Sequence, residues 1–122
     1  GDAMRSWCNP ASENSGKTYF DLDIFREAMT GYATGSSACP PSLDEWNSIV
    51  PGTERICIEL AARFAWDALA ECYFGYDPAY GGRGEHNLLR ARGQACLATS
   101  VRNQRSDGEA VMKQLWRERL NA

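Results

Sequence analysis

From Glu54 to Phe74 the charged residues Arg55, Glu59, Arg63, Asp67 and Glu71 recur at every fourth position, and what lies between them is almost wholly apolar. A four-residue recurrence marks one face of an α-helix, so the pattern predicts a long helix with a single narrow wet stripe. Ile56, Ile58, Leu60, Phe64, Trp66, Leu69 and Tyr73 fall outside that stripe. A helix so apolar around its circumference is expected to be enclosed by protein on its other sides. It is the expected central helix, with Phe64, Trp66 and Leu69 in the core. The stripe alternates in sign from Arg55 to Asp67, which reads as solvated intrahelical ion pairs rather than a catalytic carboxylate set.

The flanking segments carry the same period. Leu22, Phe25, Met29 and Tyr32 predict a helix from about Asp21 to Ala33, closed by Gly31, Gly35, Ser36 and Ser37. Ser42 with Glu45 forms a capping box ahead of Leu43, Trp46, Ile49 and Val50, a short helix expected to stop at Pro51-Gly52. Thr53 would then cap the central helix. A further helix is expected from about Glu85 to Val101, and a last one from about Asp107 to Leu120 behind a second capping box, Ser106 with Glu109. Residues 1–17 are polar and read as an irregular arm tied down at Cys8. No period-two strand and no internal repeat is visible. The expected fold is all-α: one domain over residues 1–122, a compact bundle of four to five helices stapled by disulfides.

The disulfides are inferred from five cysteines in 122 residues: Cys8, Cys39, Cys57, Cys72 and Cys96. No C-x-x-C pair occurs among them, which disfavours a zinc or thioredoxin-like centre and favours an oxidising compartment, periplasmic or secreted. Cys57 and Cys72 on one helix would lie ~22 Å apart at 1.5 Å rise per residue. A disulfide needs Cα atoms within about 7 Å. Each therefore needs a different partner among Cys8, Cys39 and Cys96, and the odd thiol could link two copies into a homodimer. The opening Gly1-Asp2-Ala3-Met4 reads as extraneous to the domain, ahead of a mature segment from which a leader has been removed. The absence of an N-x-S/T acceptor favours a bacterial source.

A net charge of −3 and a pI near 5.1 argue against nucleic acid as the partner. There is no polybasic run for an anionic membrane, and Arg63 and Asp67 interrupt the longest apolar stretch, so no membrane span is expected. No P-loop, G-x-S-x-G or H-E-x-x-H occurs, and no catalytic residue, metal ligand or cofactor is assigned. His86, the only histidine, reads as an ordinary surface residue. The feature that stands out is the glycine-rich connection over residues 75–84 with its flanks. Tyr73, Phe74, Tyr76 and Tyr80 crowd it, together with Asp77, Arg83 and Glu85. Tyr and Arg on a loop are the residue types of interface hot spots, so these seven are the candidate binding residues for another protein; the other reading is that the rings fold back over the helix ends and seal the core. The alternative is a small secreted effector or hydrolase that uses an unpaired cysteine with His86, or the Asp67 and Glu71 carboxylates.

Gly31-Tyr32-x-x-Gly35, Cys39-Pro40-Pro41-Ser42, Ala61-Ala62 and Ala68-Leu69-Ala70-Glu71-Cys72 together resemble the Rap/Tai-type periplasmic immunity proteins of bacterial type VI secretion systems. The resemblance covers residues 31–72. It implies a small helical disulfide protein that neutralises a secreted toxin or cell-wall hydrolase by docking on it.

Overall fold

The computed structural model describes residues 1–121, and every regular element among them is helical. Six α-helices follow in order: α1 (Asp2–Trp7), α2 (Leu22–Gly35), α3 (Leu43–Asn47), α4 (Ile49–Ala70), α5 (Arg83–Asn103) and α6 (Arg105–Leu120), with a 3-10 turn at Pro78–Tyr80. α4 and α5 form an antiparallel hairpin and make the largest interface. At one end Arg102 Nε donates to Glu54 Oε1 at 2.7 Å, and at the other Asn87 Nδ2 donates to Asp67 Oδ2 at 2.8 Å. α2, α3 and α6 close over the Glu54 end of this hairpin. Phe25, Met29, Trp46, Leu97, Val101, Val111 and Met112 fill the space between them, all buried. Burial of Trp46 is made possible by its indole N–H, which donates to the Met112 carbonyl at 2.8 Å.

The expected polar arm contains a helix. Met4 and Cys8 turn inward from α1 to the core, so the opening residues are part of the fold. The chain then runs as a strap along α5. The Thr18 hydroxyl donates to the Gly93 carbonyl, the Phe20 N–H donates to Ser100 Oγ at 2.9 Å, and the Gln104 amide donates to the Phe20 carbonyl at 2.7 Å. Gly93 permits this approach, since a Cβ there would lie 2.8 Å from the Ser15 carbonyl oxygen.

Other boundaries move for identifiable reasons. Pro51-Gly52 does not stop a helix. Pro51 is the third residue of α4, where its missing N–H has no intrahelical acceptor to lose. The Ser42–Glu45 capping box forms, and Asp21 caps α2 by accepting from the N–H groups of Asp23 and Ile24. The Ser106–Glu109 box does not: α6 starts two residues early, and Glu109 pairs with Arg105 at 3.0 Å instead. α4 ends at Ala70, four residues before the expected Phe74.

The wet and dry sides of α4 are also not as expected. Asp67 is fully buried, whereas Ile58, Trp66 and Leu69 are 46, 59 and 90% exposed, and Phe64 is half-buried. None of the intrahelical ion pairs expected among Arg55, Glu59, Arg63 and Asp67 is formed. The cause is the placement of α5, which takes the side of α4 that carries Cys57, Phe64 and Asp67. The side with Ile58, Ala62, Ala65, Trp66 and Leu69 is left outward.

The expected disulfide staple is absent. No two cysteines approach to bonding distance, and all five thiols are free. Cys39 lies on the exposed α2–α3 connection, Cys72 follows α4, and Cys96 is exposed on α5, while Cys8 and Cys57 are core residues. Burial pushes the Cys8 and Cys57 thiols up to about 11, so both stay protonated at neutral pH.

Two outcomes follow for the native protein. Thiol titration should count the three exposed cysteines at once and all five only after denaturation; rapid reaction of Cys8 or Cys57 would contradict the core placement. In urea unfolding, Leu97→Ala should cost about 2–5 kcal/mol as a core truncation, whereas Leu69→Ala should stay within about 0.5 kcal/mol as a surface change.

Candidate functional site

The loop between α4 and α5 is held by a carboxylate. Glu71 leaves α4 in the left-handed conformation (φ 50°, ψ 40°), which turns the chain back over the helix end. The next three backbone N–H groups then converge on Asp67, one turn earlier. Cys72 and Tyr73 donate to Oδ1, and Phe74 donates to Oδ2, each at 2.9 Å. With Asn87 the carboxylate accepts four hydrogen bonds. Burial alone would raise the Asp67 pKa, but these donors outweigh it and hold it down at about 2. The same Asn87 accepts from the Arg90 guanidinium, so its amide links a buried carboxylate to a cation.

Arg90 extends the fastening. Its guanidinium lies 4.7 Å from the Phe64 ring centroid and 5.8 Å from that of Phe74, and it donates to the Gly75 carbonyl at 2.7 Å. Arg63 also lies over Tyr73 and Phe74, and it donates to the Tyr73 hydroxyl at 3.2 Å. The far half of the loop has its own attachments. The Asp77 N–H donates to His86 Nδ1 at 3.0 Å, the Ala79 N–H donates to the Asp77 carboxylate at 2.9 Å, and the Tyr80 ring stacks on His86 with centroids 4.9 Å apart. Arg83 donates to the Glu71 carbonyl at 2.5 Å, and the Gly84 N–H donates to the Glu71 carboxylate at 2.7 Å. Glu85 folds over Gly81-Gly82, where a Cβ on Gly82 would meet its carboxylate at 2.6 Å.

All seven expected binding residues therefore belong to one loop and its flanks, in two roles. Tyr73 and Tyr76 are exposed rings, at 65 and 45%, with Arg83 over the Tyr76 face. Phe74, Asp77, Arg83 and Glu85 shape the backbone, and Tyr80 does both. Trp66 and Leu69, expected in the core, lie exposed beside the loop, as does Leu88 on α5. Trp66 shares a recess with Arg63, Tyr73 and Phe74.

His86 is only 4% exposed, so it is not an ordinary surface residue. Both ring nitrogens are engaged, Nε2 with Asn14 Oδ1 at 2.6 Å. A signal for Asp67 was present in the sequence. A carboxylate in the last turn of a helix opposes the dipole, so an acid there calls for compensating donors, and a turning chain supplies them. The groups named for the alternative chemistry are occupied by structure: Asp67 by four donors, Glu71 by Gly84, and His86 by Asp77 and Asn14. Among the described residues, no group of three or more His, Cys, Asp or Glu side chains is placed to hold a metal ion. No helix there is long and apolar enough to cross a membrane.

No family model matches the chain, and no curated protein shows significant similarity to it.

Asp67→Asn tests the anchor through its pH dependence. The folded carboxyl sits below its ordinary 3.8, so its contribution to stability is full above that value and is lost as pH falls through about 2. Asp67→Asn should destabilise the protein at neutral pH, and the gap from the parent in urea unfolding should narrow on acidification. A gap independent of pH would show that the charge is not what holds the loop.

Proposed function

We propose that this chain is a protein-binding domain that works by occlusion, an immunity or inhibitor protein of a periplasmic or secreted compartment that neutralises a toxin or cell-wall hydrolase. One observation carries the reading. The loop backbone is fastened at Cys72, Tyr73, Phe74, Gly75, Asp77 and Ala79, while the Tyr73 and Tyr76 rings stand in solvent. A glycine-rich loop held this way binds with little further loss of conformational freedom, which is how rigid aromatic recognition surfaces gain affinity. Trp66 and Leu69 extend the same surface onto α4, giving the apolar centre that a protein interface needs. The resemblance over residues 31–72 supports the same role and supplies the compartment, which the free thiols leave without a disulfide argument.

The reading is tested by affinity capture from the extracytoplasmic fraction of the source organism, with the parent and a Trp66→Ala/Tyr73→Ala variant as paired baits. The parent should retain a hydrolase or toxin and inhibit it when added back. Each single change, Trp66→Ala or Tyr73→Ala, should weaken that complex by about 1–2 kcal/mol, roughly tenfold in Kd, with unfolding midpoints little changed. Equal capture and inhibition by parent and variant would remove the surface from consideration.

A further inference from the structure

The two halves of the loop are anchored by two different titratable groups. The Tyr73 half hangs on Asp67, an ionised carboxylate. The Tyr76–Tyr80 half hangs on an imidazole, and the polarity of its bonds is fixed by chemistry. A backbone N–H can only donate, so the Asp77 N–H at 3.0 Å requires Nδ1 to be unprotonated. Nε2, 2.6 Å from the Asn14 side-chain oxygen, then carries the hydrogen and donates. The ring is locked as the neutral Nε2–H tautomer, sealed at 4% exposure beneath Tyr80.

We propose that His86 is a proton-operated latch on the docking surface: a proton on Nδ1 expels the Asp77 N–H and frees the Tyr76–Tyr80 half of the loop, leaving the Tyr73 half in place. Protonation sets one N–H against another along the 3.0 Å line, so the bond becomes a repulsion. The Asn14 contact survives, because Nε2 still donates. What departs is the segment held to α5 by this bond, by the Tyr80 stack and by Arg83 over the Tyr76 ring, and of these the bond is the one that a proton reverses. The 3-10 turn at Pro78–Tyr80, capped by Asp77, moves with it.

The charges facing the ring set the direction. Burial disfavours the imidazolium most, and Arg90, one turn further along α5, adds to this; Asp77, from the loop, opposes them. From the strap comes the neutral Asn14, and from the 3-10 turn the phenol ring of Tyr80. The histidine pKa is therefore lowered in the folded protein. The latch is fully closed above the ordinary value near 6.5 and gives way as pH falls through the lower folded value. Asp67 stays ionised down to about 2, so the Tyr73 half keeps its anchor above that pH. The consequence for binding rests on the docking role proposed above; the latch itself does not.

The test uses the free protein. The single histidine, labelled with ¹⁵N, should show the Nε2–H tautomer at about pH 8 and titrate with a midpoint below 6.5. Across the same midpoint, hydrogen-exchange protection at the Asp77 amide should fall by at least about tenfold, while Tyr73 and Phe74 keep theirs. His86→Phe keeps a ring under Tyr80 without the acceptor, so its Asp77 amide should be unprotected at every pH. Should that variant misfold, the parent titration decides alone. The latch is refuted if His86 protonates without loss at Asp77, or if Tyr73 and Phe74 lose protection in the same step. A latch that titrates as described in a protein whose Trp66 and Tyr73 variants bind normally would count against the docking role alone.

Discussion

Asp67 is a charged group buried on a helix that has apolar residues to spare, and the α4–α5 end of the molecule depends on its being satisfied. An unpaired buried carboxylate would cost several kcal/mol. Four donors remove that penalty, and three of them are consecutive backbone N–H groups that a loop would otherwise have to offer to water. Burial of the acid and ordering of the loop are thus one event. The left-handed turn at Glu71 makes the convergence possible, and Asn87 carries the charge interaction on to Arg90, whose guanidinium is stacked over Phe64 and Phe74.

The rest of the scaffold supports that arrangement from the other end. Glu54 joins α4 to α5 and α6 through Arg102 and Arg105, and Trp46 locks α3 onto α6 through the Met112 carbonyl. The strap before α2 lies against α5 from Asn14 to Phe20, so the helix that carries His86 and Asn87 is held from a third side. This cross-linking by hydrogen bonds and packing takes the place of the covalent staple that five cysteines had suggested. Two of those cysteines serve the core as small apolar groups.

Local signals were legible in the sequence where one residue decides the outcome. Ser42 caps α3 as its capping box with Glu45 had indicated, because a short polar side chain before an apolar period has few other uses. The helical class followed from the period, and the loop from Gly75 and Gly81-Gly82. What could not be read was which side of α4 meets α5, because Ile58, Trp66 and Leu69 look alike to a periodicity argument whether they face a core or a partner. The same limit hid His86. Its neighbours Asp77 and Asn14 are 9 and 72 positions away, and only the fold brings them to the ring. Helix α1 was missed because Asp2–Trp7 is too short to show a period, and its burial is decided by what α4 presents to it.

The exposed residues beside the loop have a topological cause. α1, α3 and α6 all meet α4 in its first half, where Gly1 lies against Gly52, Val50 against Gly108, and Cys57 near Arg5. Beyond Phe64 the helix has only α5 and its own loop to pack on. A two-helix end can bury one face of each helix, not two, so Trp66 and Leu69 must stand outward whatever their chemistry. A chain under no demand but folding would do as well with polar residues there. At about 25 cal/mol per Å² of apolar area removed from water, an exposed tryptophan and leucine contribute nothing to folding that a partner could not contribute more fully to binding. The fold thus leaves apolar surface exposed beside a loop whose Tyr73 half is fastened to a buried carboxylate, and a surface held in that way loses little conformational freedom when a partner covers it.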